Sequence, residues 1–102
     1  MNMKMYSVFD NKIDEFVTPF FAESDNHAMK MIQNSLGSQS QLVLYPADYE
    51  LFCLADFSSD DGQLTGVNKH SVSKVIKLIP IGLRKYALDG SFGGVTDETQ
   101  ED

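Results

Sequence analysis

The sequence predicts an α+β fold: a small antiparallel sheet of about four strands with one principal helix at about residues 25–36. Two observations carry this. The run Tyr49 to Phe57 has strand length and strand alternation, and it ends in Ser58-Ser59-Asp60-Asp61-Gly62. Asp-Gly is a strong hairpin signal, because glycine accepts the positive φ of a tight turn. Earlier, Ser24-Asp25-Asn26 opens a segment with helical spacing. The 102 residues, 42% hydrophobic, with seven Phe and four Tyr, are enough for one modest core.

Taken in order, Met3 to Phe9 reads as a first strand, with Met3, Met5, Ser7 and Phe9 alternating with Lys4, Tyr6 and Val8. Asp10-Asn11-Lys12 turns the chain or starts a loop through Glu15. Val17 to Ala22 reads as a second strand that pairs back on the first. Pro19 has no N–H, so this strand belongs at an edge or is bulged there. In the helix, a side-chain oxygen of the Ser24-Asp25-Asn26 cap accepts a first-turn N–H, and Asp25 suits the positive end of the dipole. Ala28, Met31, Ile32, Ser35 and Leu36 share its inner side with Met29 on the flank, and Gly37 is a natural stop. Leu42-Val43-Leu44 suits a strand or a segment packed on the helix.

Pro46 biases Tyr45 toward extended backbone before the central strand. Strict alternation puts Tyr49, Leu51, Cys53, Ala55 and Phe57 on one face, and Glu50, Phe52, Leu54 and Asp56 on the other. A strand apolar on both faces in its middle is expected to be covered on both, or on one by a second subunit. Gln63 to Val67 can pair back as a short strand. Val72, Val75, Ile76 and Ile79 follow helical spacing and predict a second short helix at about 71–79, capped by Ser71. The β-branched content, with Ile76-Lys77-Leu78-Ile79, would also suit a strand. Residues 1–88 are read as one domain and 89–102 as a flexible acidic tail.

No apolar run approaches the roughly 20 residues of a membrane-spanning helix, and no signal peptide is expected at the start. Cys53 is the only cysteine, so it forms no intrachain disulfide, and it reads as a buried small hydrophobe in a reducing compartment. The net charge of −7 is polarised. Residues 62–88 hold Lys69, Lys74, Lys77, Arg84 and Lys85 and no acid. Residues 89–102 hold Asp89, Asp97, Glu98, Glu101 and Asp102 and no base.

No catalytic constellation is visible, so an enzyme is not expected. His27 reads as a first-turn surface residue and His70 as a solvated one. No Cys/His spacing points to zinc, Asp60-Asp61 reads as an ordinary acidic turn, and no cofactor or metal is expected. Nucleic acid is the candidate ligand of the basic segment: Lys69, Lys74, Lys77, Arg84 and Lys85 would neutralise phosphates, and Tyr86 would offer a stacking face. The adjacent acidic tail would compete with DNA for that segment. The alternative is a homodimer, or a module for another protein partner, with Phe20, Tyr49, Leu51, Phe52 and Leu54 at the interface.

Three stretches also resemble a known family. They are M-Y-S-V-F-D-N-K at Met5 to Lys12; P-F-F-A at Pro19 to Ala22, with the polar cap and helix that follow; and Y-P-A-D-Y-E-L-F-C-L-A-D-F-S-S-D-D-G at Tyr45 to Gly62. In this order they resemble the small nonstructural protein of gokushovirus-type microviruses, phages with circular single-stranded DNA genomes. Tyr45 stands where the family more often has His, and Ala47 where it more often has Glu. The likeness covers roughly residues 4–67. It implies a non-capsid phage protein in the host bacterial cytoplasm. It also implies a DNA-binding or replication-associated role, in the switch toward single-stranded genomes for packaging, with single-stranded DNA as the nucleic acid and a phage or host replication protein as the alternative partner. It supplies no binding residues.

Overall fold

The computed structural model describes residues 2–88, and the predicted tail at 89–102 lies outside them. A sheet of five strands is covered on one face by a layer of helix and helical turns. The strands are β1 (Asn2–Asp10), β2 (Glu15–Phe16), β3 (Phe20–Ala22), β4 (Tyr49–Ser58) and β5 (Leu64–Lys74). All pairings are antiparallel. β1 and β4 are central, β5 forms one edge, and β2 and β3 follow one another along the other edge, both on β1.

The predicted second strand, Val17 to Ala22, forms only at Phe20–Ala22, and a separate two-residue strand, Glu15–Phe16, precedes it where a loop was expected to end. Pro19 lacks a donor, and residues 17–19 leave the ladder between Phe9↔Phe16 and Tyr6↔Phe20. The gap is partly closed from β1. The Ser7 hydroxyl, fully buried, donates to the Val17 carbonyl at 2.5 Å, so the only buried polar side chain among the described residues has a partner. The β1–β2 loop is tight, with Asp14 at φ 57°, a conformation Asp accepts more readily than most residues. The β4–β5 turn closes with Ser58 N–H donating to Gln63 O at 3.0 Å and Gly62 at φ 75°, the positive φ its glycine was expected to supply.

Helix α1 spans Asp25–Ser35, and the Ser24 hydroxyl accepts the His27 N–H at 3.1 Å. Ala28 and Ile32 are buried, with Met29 and Leu36 packed beside them. Met31 and Ser35, expected inside, are exposed. The helix thus sits rotated toward Met29. It ends on Leu36 in extended backbone rather than on a left-handed Gly37. Leu42-Val43-Leu44 forms a short helix, α2 (Gln41–Leu44), and 3-10 turns follow at Pro46–Asp48, Val75–Leu78 and Ile81–Tyr86.

The predicted second helix at 71–79 does not form. β5 runs on to Lys74, pairing Ser71 with Phe52 and Ser73 with Leu51. Ladder bonds to β4 outweigh a helical spacing in a segment rich in β-branched residues. Only Val75–Leu78 winds, as a 3-10 turn that drops Val75, Leu78 and Ile79 into the core.

The core joins Tyr6, Val8, Leu51 and Cys53 of the sheet to Ala28, Ile32, Val43, Val75 and Ile79 of the covering layer. No helix among the described residues is long and apolar enough to cross a membrane.

Candidate functional site

The other face of the sheet has no covering element among the described residues, and its composition is set by a bulge. Residues paired across antiparallel strands share a face. Val8↔Leu51 and Tyr6↔Cys53 face the core, so Ser7↔Phe52 and Phe9↔Glu50 face outward. Between Cys53 and Ala55 the register shifts, leaving Leu54 as an extra residue. Beyond it the alternation inverts. Lys4 pairs with Ala22, a core residue, and with Asp56, whereas Met5 pairs with Phe21 and Ala55. Phe20 lies against Tyr6 on the core side, with ring centroids 5.9 Å apart, and its neighbour Phe21 meets Phe57 at 5.0 Å on the opposite side. Strict alternation placed Ala55 and Phe57 with Leu51. The bulge instead sends them to the open face, and Ala55, although buried, stays outside the core cluster.

The open face therefore carries five phenylalanines in two groups. At one end Phe9, Phe16 and Phe52 form a cluster, with centroids 4.8 Å (Phe9–Phe16), 5.6 Å (Phe16–Phe52) and 6.3 Å (Phe9–Phe52) apart. At the other end Phe21 and Phe57 pair, beside Leu64 across from Phe57. Phe16, Phe21 and Leu64 are all exposed by more than a third. The Lys69 ammonium sits over both Phe16 and Phe52, 5.2 and 5.7 Å from their centroids, a cation–π arrangement. Lys74 shares this face through its pairing with Glu50, and Glu50 is itself engaged by the Ser71 hydroxyl. A cation held at an open aromatic surface can meet a planar base and its phosphate together.

Of the residues expected to contact DNA, only Lys69 and Lys74 lie on this face. Lys77 lies in the Val75–Leu78 turn of the covering layer. Arg84, Lys85 and Tyr86 lie in the Ile81–Tyr86 turn, where Arg84 Nε donates to the Ile79 carbonyl and the Lys85 ammonium is over the Tyr86 ring. The basic segment is thus divided between the two sides of the sheet. The expected interface residues divide too. Leu51 is fully buried in the chain's own core, so it is corrected to an internal position, whereas Phe20 and Tyr49 pack against that core and are only partly buried. Phe52 and Leu54 remain partly exposed. The aromatic partners of Phe52, namely Phe9 and Phe16, were not singled out. Their signal was present in the hairpin, since a turn at residues 11–14 brings Phe16 opposite Phe9.

A second cluster lies at the rim of the covered side. The Tyr6 hydroxyl donates to Asp25 Oδ1 at 2.7 Å, and Asp25 Oδ2 is 3.6 Å from His70 Nε2. His70 stands directly across the ladder from Cys53. One ligand atom from each of Asp25, Cys53 and His70 falls within 4.8 Å of the others. Nearby, Lys4 and Asp56 form an ion pair at 2.9 Å, which raises the Lys4 pKa. Burial pushes the Tyr6 hydroxyl well above the ordinary tyrosine range, helped by its bond to Asp25. Burial also raises the Cys53 thiol, as does the Asp25 carboxylate. These are the effects of desolvation and of neighbouring negative charge on groups that ionise to anions.

Among known proteins, no curated protein and no solved structure matches significantly. A family match does exist: that of the Phage ORF5 protein, over residues 3–78. The matched span holds nearly all of the sheet, both helices and the turn at Val75–Leu78, and it stops before Arg84, Lys85 and Tyr86. This chain accordingly belongs to the Phage ORF5 protein family.

Proposed function

We propose that this phage protein acts without catalysis in single-stranded DNA metabolism, by weak contact of its open sheet face with single-stranded DNA. The observation that carries the reading is Lys69 poised over Phe16 and Phe52 on an aromatic surface that no other element among the described residues covers. Aromatic rings on a sheet accept bases of any sequence, and lysines beside them neutralise the backbone. The resemblance to the gokushovirus nonstructural protein supports a place in viral DNA replication or in its switch to genome packaging, within the infected cell. The overall charge of −7 works against a polyanion at long range, which keeps the affinity low and makes the local site decisive.

The test is a fluorescence titration of labelled single-stranded DNA at low and moderate salt. The wild type should bind, and binding should weaken with salt. Phe16→Ala, Phe52→Ala and Lys69→Gln should each weaken it more than joint neutralisation of Lys77, Arg84 and Lys85. The reverse ranking would move the site to the covering layer. Absence of binding at low salt would overturn direct DNA contact.

A second reading is favoured by the other end of the face, where Phe21, Phe57 and Leu64 are apolar. There a second copy of the chain, or a replication protein, would bury the patch. Sedimentation equilibrium of the wild type and Phe57→Asp separates the two. A dimer abolished by Phe57→Asp, with no DNA binding by either protein, would favour protein pairing.

A further inference from the structure

We propose that Asp25, Cys53 and His70 form a binding site for a zinc-class divalent transition-metal ion, tying the start of α1 to the two neighbouring strands β4 and β5. Three observations support it. The first is the donor set. A thiol, an imidazole and a carboxylate are the ligand types that zinc accepts, and the mixture of soft and borderline donors disfavours magnesium and calcium. The second is convergence. The ligand atoms come from three elements far apart in sequence, yet all lie within 4.8 Å of one another. Bond lengths of about 2.0–2.3 Å to a shared ion need only small side-chain rotations from there. The third is the support behind one ligand. The Tyr6 hydroxyl occupies Asp25 Oδ1 at 2.7 Å and leaves Oδ2 turned toward His70. A hydrogen bond that orients a ligating carboxylate in this way is the outer-shell arrangement metal sites use.

The placement of the three groups suits an ion entering from solvent. Cys53 is fully buried and would form the floor, whereas the Asp25 and His70 side chains are about half exposed, at 45% and 50%. Solvent would complete the coordination on that side. The bound ion takes the thiolate, so the Cys53 proton leaves on binding. The Lys4 ammonium acts on Cys53 from nearby, and its pairing with Asp56 at 2.9 Å directs it to a different carboxylate. No spacing motif could announce such a site, because Cys53 and His70 meet through strand pairing and Asp25 arrives through the packing of the helix.

The test is titration of the full chain with Co²⁺ as a spectroscopic stand-in, followed by competition with Zn²⁺. Cys53 is the only cysteine, so a sulfur-to-cobalt charge-transfer band reports on this site alone, whatever the acidic tail binds. The expected result is one equivalent of Co²⁺ giving that band, displaced by Zn²⁺. Tyr6→Phe should weaken binding about 10-fold to 100-fold, and His70→Ala and Asp25→Asn should weaken it more. His27→Ala should leave it unchanged. Cys53→Ser would abolish the band even if it also disturbed folding, so the decision rests on exposed His70, whose replacement spares the core. Absence of the band in the wild type would overturn the site. So would a band of equal affinity in His70→Ala and Asp25→Asn.

Discussion

The two faces of the sheet are made from the same strands and the same residue types, yet they do different work. On the covered face Tyr6, Val8, Leu51 and Cys53 are excluded from water and hold the helical layer. On the open face Phe9, Phe16, Phe52, Phe21 and Phe57 remain in reach of solvent, with Lys69 above two of them. Apolar character alone does not make a core. What separates the faces is whether another element among the described residues lies on them. A face left uncovered and rich in aromatics is surface available for a ligand or a partner.

The sharpest way to break this comparison is to truncate neighbours that point opposite ways. Leu51→Ala should lose about 2–5 kcal/mol of stability in urea unfolding, the cost of a large-to-small change in a packed core. A loss as small as that of a surface substitution would show that this face is not the core. Phe57→Ala probes the inversion at Leu54. A core Phe→Ala change costs about 3–5 kcal/mol, and on the open face the loss should be well below half of that. Phe52→Ala should likewise spare stability, while reducing the free energy of single-stranded DNA binding by about 1–3 kcal/mol, the usual worth of one stacked base.

A subtler contrast is in pH. The native pKa of Tyr6, on the covered face, is raised above its unfolded value, so folding favours the neutral phenol. Its contribution is complete below about pH 10, the unfolded tyrosine value, and is lost as pH rises further. Stability measured by urea midpoints should therefore fall in alkali. Tyr6→Phe should start about 1 kcal/mol lower at neutral pH through loss of the bond to Asp25, and should then fall less steeply. The fall does not vanish, because Tyr49 is also raised by burial. An equal slope in both proteins would refute the assignment to Tyr6. The smallest effect expected is at the helix start. Ser24→Ala should cost about 1 kcal/mol by removing the acceptor for the His27 N–H, without altering DNA binding.

Much of the architecture was legible in local chemistry. The Asp-Gly turn, the Ser24 cap and the alternation of β1 each state their structure within a few residues, and each appears where it was expected. The second short helix was misjudged because Val72, Val75, Ile76 and Ile79 satisfy helical spacing while their segment also pairs well in a sheet, and the neighbouring strand settles the choice. The candidate sites were less legible. Lys69 was visible as a cation in a basic segment, but its rings, Phe16 and Phe52, come from other strands. Lys77 and Arg84 share that segment and end on a different side, since a linear charge run carries no information about faces.

By itself, then, the sequence determined the class of fold, the order of most elements, the hairpin turns and the cap of α1, because each depends on dihedral preferences and hydrogen bonds between near neighbours. The tertiary structure alone decided which face receives Ala55 and Phe57, and that Asp25, Cys53 and His70 meet. The physical reason is that a bulge is a mismatch between two strands. Its position depends on how both strands register against each other, and a single inserted residue reverses the direction of every side chain beyond it.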